Sequence, residues 1–304
     1  MEKKFDIYQA VTDRIIAQLE KGVIPWHKPW KVTGVAIRGA EDLRKVAFNR
    51  ITKMAYSPLN QMLLTRAGEY ASFKQWTEAG GKIKKGSKAE IVVFWKWLDI
   101  LDEKDRDKNG KPKKKKIPFL KYLQVFHIED VEGVKPLDLG EVTEASEQQF
   151  DADEEAEAII TAYTERESIR LTYSGNEAFY RPGTDEIYLP ERFKFGKVGA
   201  EFYSTAFHEI THSTGAAKRL DRLKPGGFGS HEYSKEELVA EIGACGLLNL
   251  LGIETSSSFK NSAAYIQSWV RVLKNDNKMI VMASAKAEKA IKYILNEKDE
   301  TEAA

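Results

Sequence analysis

The sequence predicts an α+β protein of two domains, on three observations. The length of 304 residues suits two domains or one large one. Segments whose apolar residues recur at helical spacing are interspersed with segments rich in β-branched and aromatic residues. The charge is also divided: residues 1–135 hold 28 Lys and Arg against 17 Asp and Glu, and the remainder holds 19 against 29. The net charge of +1 therefore conceals a basic N-terminal domain and an acidic C-terminal domain.

The first elements of the basic domain are helices and a turn. Apolar residues at helical spacing predict an amphipathic helix over residues 6–21. Residues 25–31 are expected to form an extended turn, because two prolines interrupt helix there. Ser57 as N-cap and Pro58 at the first helical position predict a second helix, and residues 72–76 begin a third, short one.

Two longer strands follow. Residues 89–98 and 119–128 are rich in β-branched and aromatic side chains, which predicts a pair of strands. The charged segment between them, residues 102–116, ends in a run of lysines and is expected to be a mobile loop. Two interpretations of that loop remain open, a solvated hairpin tip and a patch that attracts phosphate.

The basic domain also holds five of the six tryptophans. Lysine and arginine neutralise phosphates, and flat rings stack on unpaired bases, so this composition predicts binding of single-stranded DNA. A reader of duplex DNA would more often present a basic recognition helix, which the sequence lacks. Tryptophans packed in the core explain the aromatic content equally well. The candidate DNA-binding residues are Trp26, Trp30, Lys31, Arg50, Tyr56, Lys74, Trp76, Lys84 and Lys85.

The domains are expected to be joined by an acidic linker. Residues 136–153 show no apolar periodicity and many acidic side chains, which is typical of a flexible connection. The predicted boundaries are therefore 1–135 for the N-terminal domain and 154–304 for the C-terminal domain.

The acidic domain begins with a helix over residues 154–165 and a strand over residues 169–173. Residues 178–180 and 186–190 are expected to form a hairpin. A strand in this position could line a cleft and pair with an extended peptide by strand addition.

The central motif of the chain is His208-Glu209-Ile210-Thr211-His212, an H-E-x-x-H pattern on a predicted helix over residues 198–214. Two histidines four residues apart share one helix face, so their rings could bind one zinc ion. Glu209 could act as general base towards metal-bound water. The alternative is an ordinary amphipathic helix with two histidines, and a metal held there could also be purely structural.

A second predicted helix, residues 236–251, carries Glu237 and Glu241 on one face of an otherwise apolar segment. A buried cation would explain acidic residues in such a place. Glu237 is assigned as the third metal ligand, and Glu241 as the acceptor that orients a ligand histidine. The reverse assignment stays open, since Ser234 and Glu237 also fit a capping box.

Two side chains just before this helix are candidates for stabilising an oxyanion on substrate, His231 and Tyr233. They could equally be exposed loop residues. The ligand set favours zinc and also admits manganese or cobalt.

Cys245 is the single cysteine and lies in an apolar run, so no intrachain disulfide is expected. No segment approaches the apolar length of a membrane span, and the N-terminus lacks the apolar core of a secretory signal. These features predict a protein of a reducing, bacterial cytoplasm with no membrane partner.

The chain resembles the ArdC-type antirestriction proteins of conjugative plasmids and other mobile elements. The stretches that carry the resemblance are Pro25-Trp26, Pro29-Trp30, Tyr56-Ser57-Pro58-Leu59-Asn60, Phe73-Lys74-Gln75-Trp76, Val125-Phe126-His127-Ile128-Glu129, Ile187-Tyr188-Leu189-Pro190, His208-Glu209-Ile210-Thr211-His212-Ser213-Thr214-Gly215 and Glu236-Glu237-Leu238-Val239-Ala240-Glu241-Ile242-Gly243-Ala244. The resemblance implies a single-stranded DNA-binding N-terminal domain and a zincin-like metallopeptidase domain. It further implies protection of incoming DNA from host restriction enzymes.

Two hypotheses follow. In the first, the protein binds single-stranded DNA and its metallopeptidase domain acts on a protein, possible substrates including a component of the host restriction system. In the second, the metal is structural, and the protein protects DNA by coating it or by sequestering a restriction subunit.

Overall fold

The structure is a computed structural model that describes residues 5–27, 43, 46–106, 112–139, 152–195, 199–224, 230–253 and 263–297. Its helices within these ranges are α1 (Ile7–Leu19), α2 (Pro58–Leu63), α3 (Phe73–Glu78), α4 (Ala152–Glu167), α5 (Gly199–Ser213), α6 (His231–Leu251), α7 (Ala263–Asn275) and α8 (Met279–Ile294). Its strands are β1 (Ala47–Asn49), β2 (Gly68–Ser72), β3 (Lys82–Ile83), β4 (Glu90–Arg106), β5 (Pro112–His127), β6 (Val131–Glu132), β7 (Arg170–Tyr173), β8 (Phe179–Arg181) and β9 (Glu186–Leu189). The predicted α+β class is confirmed.

The strands form three small sheets. The largest has the order β1-β2-β5-β4, in which β1 and β2 are parallel and the other pairs antiparallel. β3 and β6 pair antiparallel. In the C-terminal half the order is β7-β9-β8, with β7 and β9 parallel and β8 and β9 antiparallel. β8 is thus an edge strand, and it packs beside α5.

Most helix predictions in the N-terminal half are confirmed. Asp6 caps α1 by accepting hydrogen bonds from the backbone of its first turn. Pro58 occupies the first turn of α2, as expected, although Ser57 makes no side-chain capping bond. Ser72 and Gln75 form a reciprocal capping box at the start of α3. The strands β1 and β2 were not predicted, because segments of three and five residues carry too little alternation to be recognised.

The prediction of a long mobile loop between β4 and β5 is wrong for most of its length. The two strands stay paired as far as Arg106 and Pro112, well into residues 102–116. The register pairs Ile100 with Lys115, Leu101 with Lys114 and Asp102 with Lys113, so the run of lysines on β5 lies opposite apolar and acidic residues of β4. Residues 107–111 lie outside the described ranges.

One hydrophobic cluster joins the two halves of the chain. Trp26 is fully buried, and its ring meets that of Trp269 edge to face, with centroids 5.9 Å apart. The same cluster contains buried residues from α1, α6 and α8, including Val11, Ile15, Leu19, Leu238, Val239, Ile242, Ile280 and Val281. The basic half therefore packs directly on the helix that carries Glu237.

The segment after β6 contributes to this core as well. Leu137 and Leu139 pack against the cluster, and the Leu137 N–H donates to the Glu69 carboxylate at 2.7 Å. The first residues of the expected linker are thus bound to the N-terminal half, while residues 140–151 lie outside the described ranges. The domain boundaries stay a prediction.

A second cluster holds the C-terminal half together. It packs α4, the inner face of the β7-β9-β8 sheet and α5 around residues such as Tyr163, Ile187 and Phe207. The predicted helix, strand and hairpin of this region are confirmed. None of the helices within the described residues combines the length and the hydropathy that a membrane span requires.

We predict that Trp26→Ala costs about 3–5 kcal/mol of unfolding free energy, because the substitution leaves a cavity between the two halves. Urea denaturation followed by circular dichroism measures the loss. Phe193→Ala is the matched control: that ring is 74% exposed, and its removal should change the stability by less than about 0.5 kcal/mol. Equal stability of the two variants would show that the cluster does not join the halves.

Candidate metal centre

The site lies where α5 and α6 approach each other closely. A Cβ atom added at Gly243 of α6 would lie 2.6 Å from Cγ2 and 2.8 Å from Oγ1 of Thr211 on α5. Thr211 is buried, and its hydroxyl donates to the Phe207 carbonyl at 2.7 Å, so this β-branched side chain cannot move aside easily. Glycine at position 243 is therefore required for the observed helix separation.

His208, His212 and Glu237 form a compact cluster across this contact, with one ligand atom of each within 4.8 Å of the others. The two histidine Nε2 atoms are 3.1 Å apart, and the Glu237 carboxylate oxygens lie 3.5 Å from Nε2 of His208 and 3.4 Å from Nε2 of His212. Ligands about 2.0–2.1 Å from a tetrahedral ion are about 3.3–3.4 Å apart, so the two nitrogens and the carboxylate lie close to the spacing that one divalent cation requires.

The far side of each imidazole faces a second carboxylate. Nδ1 of His212 is 3.3 Å from the Glu236 carboxylate, and Nδ1 of His208 is 4.0 Å from that of Glu241. Arg222 is buried and donates to Glu236 from Nε at 3.0 Å and from Nη2 at 2.9 Å. Glu236 thereby favours the His212 tautomer in which Nδ1 is protonated and Nε2 carries the lone pair, and the negative charge of Glu241 lies on the same side of His208.

This arrangement leaves acceptor atoms facing one another. Two Nε2 lone pairs and the Glu237 carboxylate point into the same space, which favours a positive charge there. Burial alone would lower the pKa of His212, but its contacts with Glu236 and Glu237 raise the pKa to about 10. Burial likewise opposes ionisation of Glu237, yet His208 and His212 hold the pKa of this carboxyl well below its usual range. The cluster therefore fits a bound cation.

Glu209 lies next to the cluster and is held by the edge strand. It is buried, and its carboxylate accepts a hydrogen bond from the backbone N–H of Tyr180 in β8 at 2.9 Å. The Tyr180 hydroxyl in turn donates to Asp185 at 2.7 Å, and Asp185 is paired with the buried guanidinium of Arg219. These bonds fix β8 against the helix that carries both histidines.

The two oxyanion candidates lie in different surroundings. Tyr233 is hydrogen-bonded to Glu237, and burial together with that carboxylate raises the pKa of the phenol to about 12, so it stays a proton donor. His231 instead places Nε2 3.1 Å from the Asp276 carboxylate between α7 and α8. The structure thus brings Tyr233 to the cluster and directs His231 to a different contact.

The predicted capping box at the start of α6 is wrong. The helix begins at His231, earlier than residue 236, and Ser230 is its N-cap, accepting from the Tyr233 N–H at 3.2 Å. Glu237 therefore lies a full turn inside the helix, where its carboxylate meets the histidines.

Two of the candidate DNA-binding tryptophans are corrected by the structure. Trp26 and Trp76 are fully buried, so neither ring has a free face on which a base could stack. Trp76 donates from its indole N–H to the Phe126 carbonyl at 2.9 Å. The core interpretation, left open from the sequence, holds for both. Trp30 and Lys31 lie outside the described residues.

The remaining candidates are mostly engaged within the protein. Arg50 pairs with Glu69. Tyr56 packs in a small apolar cluster, and burial raises the pKa of its hydroxyl. Lys74 lies 3.7 Å from Glu78. Lys84 donates to the Glu129 carbonyl at 2.7 Å, whereas Lys85 is exposed.

Glu236 and Arg222 are the residues of the cluster that the sequence analysis missed. Glu236 precedes Glu237 directly, and helix geometry separates adjacent residues by about 100°. It reaches His212 because α6 crosses α5 here. Such a crossing is a tertiary feature, and helical periodicity in the sequence does not indicate it. Arg222 was missed because no sequence motif marks it. Its guanidinium donates at 2.6 Å to the hydroxyl of Thr214, eight residues earlier in the chain.

The cluster on α5 and α6, with an edge strand beside it, defines a zincin-like metal centre, and comparison with known proteins agrees. A family model described as a zincin-like metallopeptidase matches residues 154–286. The N-terminal domain of anti-restriction factor ArdC matches residues 5–126. The chain belongs to the ArdC antirestriction family.

Solved structures and relatives support this membership over nearly the whole chain. The metal-free crystal structure of the antirestriction protein ArdC from the R388 plasmid is 32% identical, with a TM-score of 0.69 over 97% of this chain and 100% of that one. The Mn(II)-bound form gives 0.70, at 32% identity over 96% and 98%. The uncharacterized protein y4eC of Sinorhizobium fredii is 30% identical over 93% of this chain and 89% of its own.

Two Escherichia coli proteins named DNA primase TraC are also similar. Each is 34% identical over 97% of this chain. The chain spans only 20% and 27% of the length of these two relatives.

We predict that His208→Ala removes bound zinc or manganese, because it deletes one of the three converging ligand atoms. Metal content after dialysis, measured by inductively coupled plasma mass spectrometry, tests this. His231→Ala is the matched control, since that ring pairs with Asp276. Equal metal in His208→Ala and wild-type protein would remove the cluster from consideration as a metal site.

We also predict that Gly243→Ala destabilises the protein by about 1–3 kcal/mol through overpacking against Thr211, although alanine is the better helix former. Thr211→Ala removes the two closest atoms, so the double variant should lose less stability than the sum of the two single variants. Denaturant unfolding of the wild type, both single variants and the double variant completes this double-mutant cycle. Strictly additive losses of unfolding free energy would contradict the close contact.

Proposed function

We propose that this chain is an antirestriction protein whose C-terminal half is a divalent-metal peptidase and whose N-terminal half binds single-stranded DNA. The observation that carries the peptidase proposal is the convergence of two oriented Nε2 atoms and Glu237 beside a buried Glu209. A structural site would not need an additional carboxylate beside the ligands.

His208, His212 and Glu237 would hold the cation, with Glu241 and Glu236 fixing the two rings. Zinc suits two imidazoles and a carboxylate, and manganese is supported by the Mn(II)-bound form of the R388 protein. A divalent ion here would supply a Lewis acid that polarises a peptide carbonyl and acidifies water.

The chain's own residues would perform the remaining steps. Glu209 accepts the proton of the attacking water and passes it to the leaving amine. Tyr233, kept protonated by its raised pKa, donates a hydrogen bond to the oxyanion that develops on the scissile carbonyl. The edge strand β8 holds Glu209 through the Tyr180 N–H and so fixes this base beside the metal ligands.

The DNA-binding part of the proposal is supported by the charge of the basic half and by its match to the ArdC N-terminal domain. Protection of incoming DNA would combine both halves, with a protein of the host restriction system as one candidate peptide substrate.

We predict that Glu209→Gln keeps its metal and its DNA affinity but loses protection of incoming plasmid DNA in a restriction-proficient recipient, because the amide cannot take up a proton. The measurement is transfer efficiency relative to a restriction-deficient recipient, with metal content determined on the purified variant. Glu201→Gln, on the first turn of α5, is the control and should protect like the wild type. Full protection by Glu209→Gln would favour the non-enzymatic hypothesis.

A further inference from the structure

The paired strands β4 and β5 extend well beyond the sheet that anchors them. β2 pairs with β5 only at Val125, Phe126 and His127, and β1 does not reach further. Residues 91–106 and 112–124 are therefore paired only with each other, and we call this two-stranded ribbon the arm. A two-stranded ribbon is marginally stable alone, so exposed apolar side chains on it need a reason.

Residues that oppose each other in the register lie on the same face of the arm. Phe94 is opposite Lys121, and Lys96 is opposite Phe119. The rings of Phe94 and Phe119 are 40% and 47% exposed, and both lysines are exposed. These four residues form a crossed arrangement of two rings and two ammonium groups, which we call the cationic-aromatic face.

The neighbours on this face extend the same pattern. Leu123, nearer to the sheet, is 50% exposed, and Ile100, further along the arm, is 40% exposed. Ile100 is opposite Lys115. From Phe94 to Ile100 the face covers about 20 Å at about 3.4 Å per residue. Along this stretch neither strand places an acidic residue on the face.

The two lysines differ from several other cations of the basic half. Arg14 pairs with Glu90, Arg66 with Asp130 and Lys74 with Glu78. Lys96 and Lys121 have no ion pair with any acidic side chain among the described residues. They are available for an anionic partner, in contrast to most of the cations singled out from the sequence.

We infer that the cationic-aromatic face of the arm is where an unpaired DNA strand binds, with bases stacked on Phe94 and Phe119 and phosphates neutralised by Lys96 and Lys121. This inference rests on the proposed DNA binding and gives it a location. Single strands present flat rings and a regular series of negative charges, which is the complement of this face.

Other occupants fit less well. A second copy of the chain on this face would bring lysines against lysines without an acidic residue to neutralise them. A purely apolar partner would bury both ammonium groups without compensation. The opposite face of the arm is partly covered, since Leu120 and Val93 are buried in the core, although Trp97 further out is 60% exposed.

The experiment uses full-length protein and a fluorescein-labelled oligothymidine, with binding followed by fluorescence anisotropy. Phe94→Ala/Phe119→Ala should weaken binding by about tenfold or more for each ring removed. Phe193→Ala, which deletes a more exposed ring in the C-terminal half, should bind like the wild type.

The charge test is independent of the ring test. Lys96→Ala/Lys121→Ala should reduce the slope of log affinity against log salt concentration by about 1.4, the amount expected for two phosphate contacts on a single strand. Lys289→Ala removes an exposed lysine on α8 and should leave the slope unchanged. Circular dichroism and metal content establish that each variant is folded.

The outcomes separate this inference from the proposed function. Wild-type affinity in both double variants would overturn the inference and leave DNA binding in place. Loss of binding in Trp97→Ala alone would overturn it in favour of the opposite face. Sedimentation velocity that shows a wild-type dimer, dissociated by Phe94→Ala/Phe119→Ala without loss of DNA affinity, would overturn it in favour of self-association. No binding of oligothymidine by the wild type would refute the DNA function itself.

Discussion

The rest of this structure depends on the convergence of hydrogen-bond acceptor atoms between α5 and α6. Two imidazole nitrogens and a carboxylate converge at a partly buried position, and a carboxylate lies behind each ring. Acceptor atoms that face one another in this way are stable only when a positive charge lies between them. The close helix contact at Gly243 and Thr211, the buried guanidinium of Arg222 and the hydrogen bond from β8 to Glu209 all hold this geometry.

The N-terminal half supports that geometry from outside. The segment with Trp26 packs on α6, whose Leu238, Val239 and Ile242 belong to the same cluster, and the first helix packs on α7 and α8. The division between the match to the ArdC N-terminal domain and the match to the zincin-like metallopeptidase therefore does not correspond to two separate cores. The strand that carries the proposed DNA face and the helix that carries Glu237 share one hydrophobic core, because β4 and α6 both contribute to this cluster.

Local signals in the sequence predicted much of this arrangement. The spacing of His208 and His212 and the acidic pair Glu237 and Glu241 were sufficient to place the cluster, since helical periodicity determines which side chains share a face. The length of the arm, the role of Glu236 and the burial of Trp26 and Trp76 were not predictable. Each depends on how elements distant in sequence pack, and composition alone cannot separate a tryptophan in a core from one on a binding surface. The aromatic residues that remain exposed, Phe94 and Phe119, lie within strands and had been interpreted only as strand formers.

The packing of α1 against α7 and α8 constrains how the protein folds. The Thr12 hydroxyl donates to the carbonyl of Asn277, 265 residues away, and Lys274 lies 2.9 Å from Glu20. Contacts of such high sequence separation slow folding, because a very long loop must close before they contribute. The face of the first helix that packs on α7 and α8 stays uncovered on the ribosome until those two helices have emerged, so the nascent chain exposes this apolar surface to chaperones while the residues between them are made.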